Sequence, residues 1–186
     1  HIGKPLSVVP SPSGNYASYA DEFEKEFEES MNELGIHLEY KYQTAEYHSG
    51  KYDDLIIHAI NNRKEIADIL ISFMTEKGKI NKSILPEEYK ENYYPISIYS
   101  RFSGKDNTRV LEYDGNKKIT YKCFDTGETE TIDFTKDRIV KLSWKTDWPM
   151  RWKMENVVFE PGGRDHASPS GSYDVSSVIA NQIFSI

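Results

Sequence analysis

The sequence predicts an α/β fold into which a small antiparallel β module is inserted. Apolar residues recur at helical spacing from Tyr19 to Leu34, and they alternate with polar residues from Ile36 to Tyr42. Hairpin signals then cluster between about residues 93 and 140. A helix, a strand and a second helix that precede a β-rich insert are typical of α/β proteins.

The composition is that of a folded protein with one domain, or one domain and a small module. The chain has 186 residues, 38% of them apolar and 13% aromatic, which argues against disorder. No apolar run approaches the roughly 20 residues of a membrane-spanning helix. The net charge of −7 excludes a generally basic nucleic-acid binder, so contact with nucleic acid requires a local basic patch.

The single cysteine, Cys123, excludes a disulfide framework and an all-cysteine zinc site. It fits a reducing, cytoplasmic location, and the first residues lack the apolar stretch of a signal peptide. The last residues, Ile183 to Ile186, lie inside an amphipathic pattern without a helix stop signal. We therefore expect the chain to be a piece of a larger protein.

The first half is predicted to be mostly helical. Prolines mark an irregular lead-in, and a helix follows over 17–34 with Gly35 at its C-cap. The acidic run from Asp21 to Glu29 is expected on a solvated helix face. A strand over 36–42, a polar loop at 47–50 and a long helix over 55–74, interrupted only around Asn61 to Arg63, complete this half.

The second half begins with the β module. Strands are predicted over 108–113, 117–123 and 129–134, joined by turns at Asp114-Gly115-Asn116 and Thr126-Gly127. The predicted elements after the module are a strand over 139–144, a short helix over 147–154 with Pro149 in its first turn, a buried strand over 157–159 and a last helix that starts after Ser172 or Asp174. The predicted domain parts are 1–92, 93–138 and 139–186.

The motifs that point to a binding site are most concentrated in residues 144–174, which include all three tryptophans. A strand followed by glycines and Asp-His is how α/β sheets form ligand crevices, with Gly163 allowing close approach and Asp165 and His166 supplying hydrogen bonds. An isolated Gly-x-Asp-His is more often a helix cap and turn. The neighbouring polar motifs and tryptophans favour a ligand site.

At this point the motifs resemble class I lysyl-tRNA synthetases. They are Asp147-Trp148-Pro149-Met150-Arg151-Trp152, Phe159-Glu160-Pro161, Gly163-Arg164-Asp165-His166 and Gly171-Ser172-Tyr173-Asp174. Upstream, Gly3-Lys4-Pro5-Leu6, Ser18-Tyr19-Ala20, Tyr42-Gln43-Thr44 and Ser49-Gly50-Lys51-Tyr52 follow in family order. The resemblance therefore covers nearly the whole chain and implies an internal fragment of the catalytic region.

The resemblance implies a Rossmann-like catalytic domain that activates lysine with ATP and Mg²⁺ and transfers lysine to tRNA. It also implies a monomeric, cytoplasmic parent protein. By analogy, the residues of the ATP and lysine pocket are Gly163, Asp165, His166, Trp144, Asp147, Trp148, Arg151 and Tyr173.

Two expected signatures that grip the ATP phosphates are missing. A His-Ile-Gly-His sequence is absent, because His1-Ile2-Gly3 continues with Lys4-Pro5, and no Lys-Met-Ser-Lys-Ser-like loop occurs. No catalytic residue is therefore assigned, and this chain alone is expected to be inactive.

In relatives the β module often carries a Cys-x-x-Cys and a later Cys-x-Cys suited to zinc. Here those positions hold Ser100, Ser103, Cys123 and Asp125, so the structural zinc is expected to be lost and no metal ligand is assigned.

Lys117, Lys118 and Lys122 are the predicted tRNA contacts, with Arg101, Lys105 and Arg109 nearby in sequence. Exposed lysines on a hairpin are also common protection of a sheet edge. Two alternatives stay open: a non-catalytic tRNA- or RNA-binding module derived from a synthetase, and another nucleotide-binding α/β protein that shares only the Gly-x-Asp-His crevice.

Overall fold

The computed structural model describes residues 1–75 and 85–186, which contain helices and two small sheets. By their contacts the residues form two units. One consists of His1–Lys51, Ile98–Tyr113 and Lys118–Ile139, and the other of Tyr52–Ser97, Asp114–Lys117 and Val140–Ile186. The predicted parts 1–92, 93–138 and 139–186 stay a prediction, and residues 76–84 of the first part lie outside the described residues.

The described helices are α1 (Tyr19–Glu33), α2 (Gln43–Ser49), α3 (Asp53–Asn61), α4 (Arg63–Ser72), α5 (Pro86–Asn92), α6 (Phe134–Asp137), α7 (Trp144–Glu155) and α8 (Ser172–Gln182). The described strands are β1 (Ile96–Ile98), β2 (Thr108–Tyr113), β3 (Lys118–Cys123), β4 (Thr129–Asp133) and β5 (Val140–Leu142). The predicted mixture of helices and strands with a small antiparallel β module is confirmed.

Helix α1 confirms the helix predicted over 17–34. Its N-cap is Ser18, whose side-chain oxygen accepts the backbone N–H of Asp21 at 3.1 Å. Glu22 departs from the expected solvated acidic face, because it is buried and accepts the Ser11 hydroxyl and the Ser13 backbone N–H. The Ser11 hydrogen bond lowers the pKa of Glu22, and it ties the proline-rich lead-in to the helix.

The strand predicted over 36–42 is wrong. These residues are in no sheet of the described chain, although their alternation has a structural role. The Tyr40 ring lies 6.3 Å from that of Phe27 on α1, and the Tyr42 hydroxyl donates to Glu28. Alternate side chains thus pack on a helix. The loop predicted at 47–50 is also wrong, since it falls at the end of α2.

The β module is the antiparallel meander that the turns predict, in the order β2-β3-β4. Ile119, Tyr121 and Cys123 form the buried face of β3, whereas Lys118 and Lys122 lie on its opposite face. The register with β2 shifts between Val110 and Glu112, which marks a bulge.

Helices α3 and α4 replace the single helix predicted over 55–74, and they are separated at Asn62, where the apolar stripe is interrupted. Arg63, the first residue of α4, caps the C-terminus of α5. Its Nη1 donates to the carbonyl oxygens of Lys90, Glu91 and Tyr93 at 3.1, 2.8 and 3.1 Å. These are the acceptors that a helix C-terminus leaves without partners.

The strand predicted over 139–144 is shorter, because Ser143 caps α7 and its carbonyl accepts the N–H groups of Thr146 and Asp147. Helix α7 therefore begins three residues before the predicted position, and Pro149 lies inside it and not in its first turn. The last predicted helix is present as α8, but it begins at Ser172 with Gly171 as its N-cap and therefore earlier than predicted. The buried strand predicted over 157–159 is wrong: Val158 is 100% and Phe159 is 79% exposed, and the segment has no assigned strand.

Candidate functional site

The three tryptophans form one stripe on α7. Trp144, Trp148 and Trp152 are four residues apart, a spacing that puts side chains on the same helix face. The ring centroids of Trp144 and Trp148 are 5.1 Å apart, and those of Trp148 and Trp152 are 5.2 Å apart. The four-residue spacing of the tryptophans is the sequence signal for this stripe. A strand predicted to include Trp144 does not reveal it, because the spacing brings side chains together only on a helix.

Two residues outside α7 complete an aromatic cluster, which we define as Trp144, Trp148, Trp152, His166 and Tyr173. Tyr173 on α8 lies 5.6 Å from the rings of both Trp148 and Trp152. The His166 ring lies 5.6 Å from Trp148 and 6.2 Å from Trp144. Trp148 and Trp152 are buried, while Trp144 is 45% exposed, so Trp144 and His166 form the open side of the cluster.

Glu160 joins the cluster although the sequence reasoning did not assign it to the site. One carboxylate oxygen accepts the indole N–H of Trp148 and the other accepts that of Trp152, both at 3.1 Å. Its backbone carbonyl accepts the Tyr173 hydroxyl at 3.4 Å. The signal was chemical, because buried indole N–H groups need acceptors and a carboxylate supplies two of them close together.

Asp147 and Arg151 brace the cluster from within α7. Asp147 is fully buried, and its Oδ2 lies 2.8 Å from Nη2 of Arg151 one turn later. The Arg151 guanidinium carbon lies 5.4 Å from the ring centroid of Trp144, which is a cation–π contact. The pair therefore holds the exposed tryptophan from the same helix.

The loop that carries His166 is closed by backbone hydrogen bonds. The Gly163 carbonyl accepts the N–H groups of His166 and Ala167 at 3.0 and 3.2 Å, and the His166 carbonyl accepts that of Tyr173 at 3.1 Å. Gly163 itself has open space around it. The sterically required glycine is Gly171, where a Cβ would lie 2.5 Å from the His166 carbonyl oxygen.

The structure thus brings together most of the residues that the sequence assigned to the pocket. Six are in the cluster or brace it: Trp144, Asp147, Trp148, Arg151, His166 and Tyr173. Gly163 and Asp165 lie in the adjoining loop and are exposed. A cleft of about 340 Å³, within the size range of ligand pockets, adjoins the cluster between Trp152, Phe159, Glu160 and Tyr173.

The predicted tRNA contacts lie on the β module. Lys118 and Lys122 share one face of β3, where Lys118 is opposite Asp133 and Lys122 is opposite Arg109. Lys117 is exposed. Arg101 is engaged elsewhere, in ion pairs with Glu130 and Asp137.

Cys123 lies among hydroxyl groups. It is buried, and its thiol is 3.5 Å from the Ser103 oxygen. Hydrogen bonds from Ser100, and secondarily from Ser103 and Thr126, lower the pKa of Cys123 to about 6. Asp125 accepts an amide N–H of Asn107 at 2.9 Å.

This donor set does not fit a tetrahedral zinc ion. Structural zinc sites are built from four cysteine or histidine ligands, whereas this set offers one cysteine sulfur, two hydroxyls and a carboxylate. Within residues 1–75 and 85–186, no three His, Cys, Asp or Glu side chains are grouped so as to hold a metal. The same described residues include no helix with the length and apolar character needed to cross a membrane.

Comparison with known proteins decides the family. A family model described as tRNA synthetases class I (K) matches residues 1–186. The chain belongs to the class I lysyl-tRNA synthetases. It is 38% identical to a lysine–tRNA ligase of Treponema pallidum over 184 residues, which are 99% of this chain and 33% of that protein. It is 39% identical to one of Methanocaldococcus jannaschii over 185 residues, which are 99% of this chain and 33% of that protein.

A lysine–tRNA ligase of Streptomyces coelicolor is 37% identical over 201 residues, with 96% of this chain and 35% of that protein covered. The chain therefore spans about a third of the length of the curated lysyl-tRNA synthetases that it matches. The residues matched by the family model include α7, the loop that follows it and the β module. The predicted resemblance to this family is confirmed.

Proposed function

We propose that this chain provides lysine- and ATP-binding surface to a lysine–tRNA ligase. The observation that carries the proposal is the aromatic cluster with the Glu160 carboxylate between two of its indoles, in a chain of this family. A lysine side chain has a long apolar stem and a cationic end; the aromatic faces suit the stem, and the exposed Asp165 carboxylate in the adjoining loop suits the cationic end.

In the proposed reaction the lysine carboxylate attacks the α-phosphorus of ATP, and pyrophosphate leaves. A hydroxyl of the terminal tRNA ribose then attacks the carbonyl carbon of lysyl-adenylate, and AMP leaves. Catalysis of this kind depends on positioning and on stabilisation of developing charge. Mg²⁺ would accompany ATP and neutralise phosphate charge.

The residues of the open side and of the adjoining loop have proposed roles. Trp144 and His166 form the wall against the lysine stem, since they are the accessible members of the aromatic cluster. Asp165, exposed in the adjoining loop, accepts hydrogen bonds from the lysine ammonium or from a ribose hydroxyl. Gly163 leaves room for a ligand beside the backbone. The Rossmann-like character of the parent domain, its monomeric state and its cytoplasmic location are part of the proposal and rest on the family.

The proposal is tested by titrating lysine and a non-hydrolysable lysyl-adenylate analogue into the chain and recording tryptophan fluorescence. All three tryptophans belong to the cluster, so binding there changes the signal. Saturable binding of the analogue, weakened in His166→Ala and unchanged in His37→Ala, is the expected result. Equal binding to both variants, or no binding to the unchanged chain, contradicts the site.

The activity of the isolated chain is a separate question. Because both phosphate-gripping signatures are absent from it, we expect no lysine-dependent exchange of pyrophosphate into ATP. Rapid exchange by the 186-residue chain would contradict this expectation.

The tRNA contact is proposed for Lys117, Lys118 and Lys122. The shared face of Lys118 and Lys122 on β3 favours it. The net charge of −7 limits it to local contacts. Replacing all three lysines with alanine is expected to weaken tRNA binding at low salt and to reduce its salt dependence. A charge-matched triple variant, Lys41→Ala with Lys64→Ala and Lys153→Ala, is the control; equal loss in both variants would argue for a nonspecific charge effect.

A further inference from the structure

Glu160 has a hydrogen-bonding arrangement that its position in an exposed segment does not suggest. Its neighbours Val158 and Phe159 are largely exposed, yet its carboxylate reaches two buried indoles of α7. The two donors lie one helical turn apart, and each of them is accepted by a different oxygen of the Glu160 carboxylate. The backbone carbonyl of the same residue accepts the Tyr173 hydroxyl from α8.

We propose that Glu160 is a positioning residue of the lysine site, an inference that rests on the proposed function. The Glu160 carboxylate fixes the planes of Trp148 and Trp152. Trp148 in turn contacts both Trp144 and His166, the open side where the lysine stem is proposed to lie. Glu160 therefore acts through the indoles and does not need to touch lysine.

The chemistry of the arrangement makes a sharp distinction between glutamate and glutamine. A carboxylate offers two acceptors, whereas an amide offers one acceptor and one donor group. In Glu160→Gln one of the two indole N–H groups would face another donor, and a buried N–H without an acceptor is costly. Trp148 and Trp152 are only 7% and 8% exposed, so solvent does not readily replace the lost acceptor.

This reasoning also predicts a rescue. In Trp152→Phe one of the two donors is gone, so the single acceptor of a glutamine suffices for Trp148. Glu160→Gln is then expected to lose lysine affinity by about tenfold in the native background and by much less in the Trp152→Phe background. If Glu160→Gln lowered lysine affinity only by disordering the segment around Glu160, the loss would be the same with one indole N–H group as with two.

The experiment combines lysine titration with NMR of the indole N–H groups in the 186-residue chain. Of the three indole resonances, Glu160→Gln is expected to move at least one of those of Trp148 and Trp152, while that of Trp144, assigned with Trp144→Phe, moves least. Glu112→Gln, an equal charge change at an exposed position of β2, is the control and is expected to leave both the resonances and the lysine affinity unchanged.

The outcomes separate the inference from the function. Lysine affinity that is unchanged in Glu160→Gln, or an equal loss with and without Trp152→Phe, overturns the positioning role while the proposed function stands. If Glu160→Gln moves neither the Trp148 nor the Trp152 indole resonance, the two hydrogen bonds to the Glu160 carboxylate are themselves contradicted. If the unchanged chain does not bind lysine although its indole resonances respond to Glu160→Gln, the proposed function fails and the lysine role of Glu160 fails with it.

Discussion

The Ser176 hydroxyl on α8 donates to the carbonyl oxygen of Lys145 on α7 at a distance of 3.1 Å. That carbonyl lies four residues before Pro149, which has no N–H to donate to it. Ser176 is fully buried, so the hydrogen bond replaces a missing helical bond in a place that water does not reach. A proline that interrupts the hydrogen bonding of α7 is thereby matched by a side chain of the neighbouring helix.

Ser176→Ala is expected to lower the free energy of unfolding by about 1–3 kcal/mol, because the Lys145 carbonyl loses the hydrogen bond that it accepts from the fully buried Ser176 hydroxyl. Urea denaturation followed by tryptophan fluorescence measures the change. Pro149→Ala restores a backbone N–H for the same carbonyl, so Ser176→Ala is expected to cost less in that background. An equal cost in both backgrounds would show that the two residues are not coupled through Lys145.

Gly171→Ala is expected to destabilise the loop after α7 by about 1–3 kcal/mol, through overpacking. The backbone angles of Gly171 suit any residue, but an added Cβ would lie 2.5 Å from the His166 carbonyl oxygen and 2.6 Å from that of Ser168. Thermal unfolding measures the change. Gly163→Ala is the matched control and is expected to be near neutral, since no atom lies within 4 Å of its added Cβ. A larger loss for Gly163→Ala would contradict the assignment of Gly171 as the required glycine.

The sequence predicts well the elements whose determinants are local. The helix over 17–34 and the β meander follow from spacing, a cap and turn residues, which act within a few positions. The strands predicted at 36–42 and 157–159 fail for a shared reason: alternation or an apolar run does not specify the partner. At 36–42 the partner is a helix face, and at 157–159 the apolar residues are exposed.

The sequence predicts which residue types lie near one another at the candidate site but not their geometry, and their binding of lysine and ATP stays a prediction. Trp148, His166 and Tyr173 are together as the motifs implied. Glu160 was missed because its role depends on two indole N–H groups that reach it from another element. The steric role of Gly171 is not predicted from the sequence, because only the folded loop reveals which glycine lies against carbonyl oxygens.

Arg63→Ala is expected to lower the free energy of unfolding by about 1–3 kcal/mol, because three carbonyl oxygens at the end of α5 lose a charged donor. Arg63 also lies 4.5 Å from the Tyr94 ring, so the variant loses a cation–π contact as well. Lys64→Ala is the control: it removes an exposed ion pair with Glu91, and exposed ion pairs contribute little to stability. Urea denaturation of the two variants should therefore rank Arg63→Ala as clearly the less stable, and the reverse order would contradict the capping role.

The thiol of Cys123 is expected to titrate near pH 6 in the folded chain, because the Ser100 hydroxyl, and secondarily those of Ser103 and Thr126, stabilise the thiolate. An unfolded cysteine has a pKa of about 8.5. A folded pKa below the unfolded value contributes stability that is fully present above about pH 8.5 and is lost as the pH falls through about 6. The stability of the native chain relative to Cys123→Ser should therefore rise with pH over this window. Thiolate absorbance during a pH titration measures the pKa directly, and Ser100→Ala should raise it more than Ser103→Ala. If the thiol titrates at its unfolded value, or if the stability difference falls as the pH rises, the proposed stabilisation of the Cys123 thiolate by the surrounding hydroxyl groups is contradicted.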